Sequence, residues 1–157
     1  MFGLFRSTPY VDPLLGRLSR SRGRWRGSAA LAGKVVPLAL VGSREAPGAD
    51  ALSTARELAD VWAHNQGPIE RALFAHYEPY REAVACGELA PPAAQVVVSS
   101  SGDVWKHVEV QSASVTLLDG SLVAGVALAV AWDEEHTVGA RFSDGQFTEL
   151  NGSIIPE

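Results

Sequence analysis

The spacing of apolar and polar residues changes period twice along the chain. Between residues 14 and 41 the pattern is that of strands. It predicts strands over Leu14–Leu18 and Arg24–Leu31, separated by the turn-prone S-R-S-R-G of residues 19–23. A turn at Ala32-Gly33 leads into a third strand over Lys34–Val41. Pro37 within it has no N–H to give a ladder, which marks an edge or a bulge. Residues 42–48, G-S-R-E-A-P-G, read as a loop.

The period then lengthens to that of a helix. Asp50 is the expected N-cap, and Leu52, Ala55, Leu58, Ala59 and Trp62 follow at helical spacing. Asn65-Gln66-Gly67 ends this helix, and Pro68 suits the first turn of the next. Ile69, Leu73 and Tyr77 share a face four residues apart. Pro79 predicts a break or kink near Glu78, with a short last turn from Tyr80 to Cys86 closing at Gly87.

After Pro91-Pro92 the strand pattern returns. It predicts a short strand over Gln95–Ser99, a turn over Ser100–Asp103 that caps one helical turn at Val104–His107, and a strand over Val108–Leu118. Asp119-Gly120 and Asp144-Gly145 are hairpin turns. The nearly continuous apolar run Leu122–Trp132 is a central strand covered on both faces. Asp133–His136 is a polar corner, and Thr137–Phe142 pairs with Gln146–Leu150. Grouped strands and helices, not alternating βα units, predict an α+β fold. Its mostly antiparallel sheet packs on a central two-helix segment within one domain, 1–157 (β 14–41, helical 50–86, β 95–150).

Composition narrows the class. A chain of 157 residues with 46% hydrophobic and 20% charged residues has enough apolar content for a packed core and too much for disorder. Trp25, Trp62, Trp105 and Trp132 are its large core candidates. A single cysteine, Cys86, excludes a disulfide framework and fits a reduced, cytoplasmic setting. Cys86 itself is expected to pack as a small buried residue at a helix end. The stretch Ala29–Gly42 is interrupted by Lys34 and Pro37 and is too short to span a membrane.

The net charge is −5, which argues against nucleic acid as a partner. It is unevenly spread. Residues 1–34 hold seven Lys/Arg and one Asp; the rest hold six Lys/Arg and seventeen Asp/Glu. The basic run R-L-S-R-S-R-G-R-W-R spans Arg17–Arg26, and Arg20, Arg22, Arg24 and Arg26 fall on every second position. That alternation predicts one solvent face of a strand pair. Its functional counterpart is a phosphate- or lipid-binding arm.

Among chemical motifs, the chain has no phosphate-binding glycine loop, zincin pair or nucleophile elbow. The dense polar cluster is W-D-E-E-H, Trp132–His136. Successive residues of an extended segment point to opposite sides, so its four polar groups do not all converge. At a turn, Asp133 and His136 can face each other. The partner-binding candidates are Asp133, Glu134, Glu135 and His136. The alternative is a metal or general acid–base site on His107, Asp133, Glu135 and His136. His64 and His76 read as surface or satisfied half-buried groups on the helices, and the Tyr77/Tyr80 pair as a helix–sheet contact.

Two stretches resemble a known family. Residues 131–153, A-W-D-E-E-H-T-V-G-A-R-F-S-D-G-Q-F-T-E-L-N-G-S, resemble bacterial domains of unknown function in which W-D-x-E-H-x-x-G precedes a final hairpin with D-G at its tip. D-P-L-L-G-R-L, Asp12–Leu18, followed by W-R-G, Trp25–Gly27, is similar to their opening strands. The resemblance implies a small cytoplasmic α+β protein, some members being like immunity proteins of bacterial toxin systems. It carries no catalytic residue to this chain. The expectation is a non-enzymatic protein-binding module of immunity or inhibitor type, with no cofactor, and with a toxin-like or host protein as partner. The acidic remainder of the chain would complement a basic partner.

Overall fold

The computed structural model describes residues 7–152. Its strands are β1 (Tyr10–Asp12), β2 (Gly16–Ser21), β3 (Arg24–Leu31), β4 (Lys34–Leu40), β5 (Val108–Leu118), β6 (Ser121–Val130), β7 (Asp133–Ser143) and β8 (Gln146–Gly152). They form one eight-stranded sheet in sequence order. Between β4 and β5 run α1 (Ala49–His64), α2 (Gln66–Ala85) and a 3-10 helix, Ser101–His107. Every neighbouring pair is antiparallel except β4 and β5, which the helical crossover makes parallel. The mixed α+β character and the mostly antiparallel sheet match the sequence pattern. The balance does not: strands hold 45% of the described residues against 29% helix, so the sheet dominates and the helices cover it.

One face of the sheet carries the core. β6 sends Ala124, Val126, Leu128 and Val130 toward the helices, and its partners supply Val115, Val138, Ala140 and Phe142. From α1, Leu52, Ala55, Leu58 and Trp62 meet them; from α2, Ile69, Leu73 and Tyr77 do so. The helical spacing read from sequence is thus the buried stripe, except that Ala59 is exposed. β6 is buried without interruption from Ala124 to Leu128, as its apolar run predicted.

Several expectations need correction. The first strand is β1, ahead of Leu14, and Leu14-Leu15 belong to a turn. That turn is held by Asp12, whose Oδ2 accepts from the amides of Leu14 and Leu15, each at 2.9 Å. α1 is capped at Gly48, not Asp50, which lies in the first turn. Residues 95–99 form no strand. α2 runs unbroken through Pro79: the buried Ile69, Leu73 and Tyr77 before it and the half-buried Tyr80 after it, packed against the core, outweigh one lost backbone bond. Cys86 is exposed just past the end of α2 rather than packed.

Pro37 sits where a proline is tolerable. β4 meets β5 only over Leu38–Leu40, so at Pro37 the strand has β3 alone as neighbour. The alternating arginines do not share one solvent face, for a geometric reason. The two-residue turn Arg22-Gly23 pairs Ser21 with Arg24 and Arg20 with Trp25. Even positions of β2 therefore share a face with odd positions of β3. Arg20 lies on the side of the buried Trp25, while Arg24 and Arg26 lie on the other.

Candidate functional site

The W-D-E-E-H segment is not a free corner. The chain turns at Ala131-Trp132, and Asp133–His136 already belong to β7. Val130 pairs with Asp133 across that tight connection. The Ala131 amide donates to the carbonyl of His107 at 2.9 Å, tying the turn to the 3-10 helix.

Trp132, although in a turn, is only 4% exposed. It folds back on α2, edge-on to Tyr77 with ring centres 5.3 Å apart. Its Nε1 donates to Nδ1 of His76 at 3.0 Å. This requires His76 neutral, with its proton on Nε2. Burial holds the His76 pKa below the ordinary value, against a smaller opposing effect of the Asp133 charge.

Asp133 is the hub. Its Oδ2 accepts from the Tyr80 hydroxyl at 2.7 Å. Nδ1 of His136 lies 3.0 and 3.1 Å from its two oxygens, and Oδ1 also accepts from the Glu135 amide at 3.2 Å. Burial alone would raise the Asp133 pKa; the bonds from Tyr80 and His136 outweigh it and leave the carboxyl below its usual range. The same hydrogen bond, aided by burial, pushes the Tyr80 phenol up. Asp133 is therefore a bound anion at neutral pH, spent on holding Tyr80 and His136 in place.

The other candidates point elsewhere. Glu134 accepts from the Ala93 amide at 2.9 Å and pins the segment after α2. Glu135 and His136 are exposed. His107 turns its Nε2 to the Val97 carbonyl at 3.2 Å. The structure thus brings Asp133 and His136 together and sends His107 to a different partner. Among the described residues, no three His, Cys, Asp or Glu side chains converge as a metal-binding group. His64 bonds the Asp60 carbonyl within its own helix.

Beside the hub lies a cleft of about 240 Å³, walled by Tyr77, Tyr80, Arg81, Pro91, Pro92 and Trp132. The Arg81 guanidinium stands 5.8 Å from the centre of the Tyr77 ring. Tyr80, Pro91, Pro92 and Trp132 also wall a second hollow of about 360 Å³, which opens onto Asp133–His136. The two share one rim, so the acidic segment and the aromatic cleft form a continuous surface. Sequence reading found the acidic residues but missed Tyr80 as the support of Asp133 and His76 as that of Trp132. Only the Tyr77/Tyr80 pair and Pro91-Pro92 hinted at an aromatic wall.

A family model described as Domain of unknown function (DUF6985) matches residues 15–154. No curated protein and no solved structure matches the chain significantly. Among the described residues, no helix is long and apolar enough to cross a membrane.

Proposed function

We propose, for a chain that belongs to the DUF6985 family of domains of unknown function, a single-domain protein-binding module of immunity or inhibitor type. Its binding surface is the Asp133–His136 segment with the adjoining cleft of Tyr77, Tyr80 and Trp132. The partner is a protein with a basic surface, toxin-like or from the host, met in the cytoplasm.

One observation carries this reading. The ionised Asp133 is consumed in orienting Tyr80 and His136, while Glu135 and His136 stay exposed beside an aromatic and proline-lined cleft. Rigid aromatic walls next to unspent charges are what protein interfaces use: the rings anchor, the charges steer. The imbalance of seventeen Asp/Glu against six Lys/Arg after residue 34 supports a basic partner. A metal-dependent enzyme on His107, Asp133, Glu135 and His136 has less support, because only Asp133 and His136 meet.

The test is association kinetics against a partner retained from the lysate of the organism that makes the protein. Glu134→Lys with Glu135→Lys is expected to slow association and weaken its salt dependence. An unchanged on-rate would remove this surface from the account. Metal retained by the purified protein and lost on His136→Ala would favour the enzyme instead.

A further inference from the structure

The two hollows beside Trp132 differ in character, and the difference determines what each one accepts. The first, of about 240 Å³, lies between the last turns of α2 and the chain that follows. Its walls include Tyr77, Tyr80, Val84, Pro91, Val96 and Trp132. Its one charged group is Arg81, which stands over the Tyr77 ring. Among the described residues Arg81 pairs with no carboxylate; the paired cations are Lys34, Arg56, Lys106, His136 and Arg141. The hollow is smaller than the roughly 300–1,000 Å³ of small-molecule sites, and a single apolar side chain suits it better. Its far wall is fixed in advance. The Ala93 amide donates to Glu134 at 2.9 Å, and Pro91-Pro92 lock their own φ. A partner therefore meets a groove already formed, without the cost of ordering it.

The second hollow, of about 360 Å³, shares the wall of Tyr80, Pro91, Pro92 and Trp132. Its charged groups are Asp133, Glu134, Glu135 and His136. Asp133 is held by Tyr80 and His136, and Glu134 by Ala93. Glu135 is exposed and, among the described residues, joins no ion pair. Leu89, 41% exposed, lines the same hollow. An apolar path ending at a carboxylate is what a lysine or arginine takes, its stem on the apolar surface and its charge at the end. Aromatic rings alone would also draw a cation into the first hollow. Arg81 already stands there, and like charges repel. The pair of hollows is thus polarised: apolar side chain in the first, basic side chain in the second.

We propose that the partner presents an extended segment carrying an apolar residue and, two positions away, a lysine or arginine. Side chains two apart lie on one face of an extended chain, so both enter hollows that share a wall. This motif rests on the protein-binding reading of the same surface and names what that surface recognises.

The probes are two blocked peptides, S-F-S-R-S and its reverse S-R-S-F-S, titrated into the full chain. NMR follows the Trp132 indole and the Glu135 amide. In one of the two orders both signals are expected to shift together. Serine in place of the phenylalanine should remove the indole shift. Glutamate in place of the arginine should weaken binding at least about threefold. Glu135→Gln should weaken binding of the arginine peptide and not of the glutamate one. S-K-S-R-S should leave the indole unmoved in the parent and shift it in Arg81→Glu, whose first hollow admits a cation. Unchanged dispersion of the other amides shows that each variant is folded. No indole shift by either peptide at millimolar concentration overturns the proposal, as does equal binding of S-K-S-R-S and S-F-S-R-S by the parent. If a captured partner still associates more slowly with Glu134→Lys/Glu135→Lys, the protein-binding reading then stands without this motif. A partner indifferent to that change removes both.

Discussion

The indole Nε1 of Trp132 donates to Nδ1 of His76, 3.0 Å away, and joins the turn before β7 to the middle of α2. The bond exists only while His76 is neutral. Burial lowers the pKa of His76 in the folded chain, while the unfolded chain titrates near the ordinary 6.5. As pH falls below that value, the unfolded state takes up the proton first, so stability declines. Urea unfolding midpoints are expected to drop between neutral and mildly acidic pH. His76→Gln, which can still accept from the indole, should flatten that slope; an unaltered slope would assign it to other groups.

Trp132 also tests the wall of the cleft. It is 4% exposed and packs on Tyr77 and His76. Trp132→Ala should cost about 3–5 kcal/mol in chemical denaturation, as truncation of a buried aromatic does. Trp132→Phe keeps a ring and loses the hydrogen bond, so its cost should be clearly smaller. A loss below about 1 kcal/mol for the alanine variant would mean a surface position.

A second long-range tie holds the other end of the sheet. Asp12 is fully buried and receives the Arg56 guanidinium of α1, with Nε at 2.9 Å from Oδ1. That bond outweighs the cost of burial and, with the amides of Leu14 and Leu15, lowers the Asp12 pKa from 3.8 to about 2. The stabilisation is present above the unfolded value and is lost as pH falls from 3.8 toward 2. Arg56 remains 39% exposed, and solvent screens the pair. Asp12→Asn keeps an acceptor for the turn and should cost about 1–2 kcal/mol at neutral pH. The difference from the parent should shrink in acid; a constant difference would deny the ion pair.

Two glycines separate crowding from backbone strain. A Cβ on Gly42 would stand 2.6 Å from the Ala46 carbonyl oxygen and 2.7 Å from the Pro47 Cα, both backbone atoms. Gly23 has open space around it but a φ of +77°. Gly23→Ala should cost about 1 kcal/mol. Gly42→Ala should cost more, because the atoms its Cβ meets are backbone and do not swing aside. Equal effects on thermal unfolding would mean that the loop after β4 yields easily.

Much of this architecture is legible in the sequence because it rests on short-range physics. The stripe of Leu52, Ala55, Leu58 and Trp62 is a helix face whatever it packs against. Asp119-Gly120 and Asp144-Gly145 form turns through local backbone preference, each pair at positive φ. What escapes is set by pairing at a distance. The face of Arg20 depends on the parity of a two-residue turn, not on its own spacing. Pro79 is a breaker in isolation and tolerable in a helix pinned by Leu73 and Tyr77. Asp133 looks like a free carboxylate until Tyr80, 53 positions away, is seen bonded to it.

The most direct test of a protein-binding role is quantitative capture from the native lysate, comparing the parent chain with Glu134→Lys/Glu135→Lys at low and moderate salt. The account predicts one protein retained in stoichiometric amount by the parent, less at the higher salt, and little of it by the variant. Equal retention by both chains, or no specific protein on either, would contradict it.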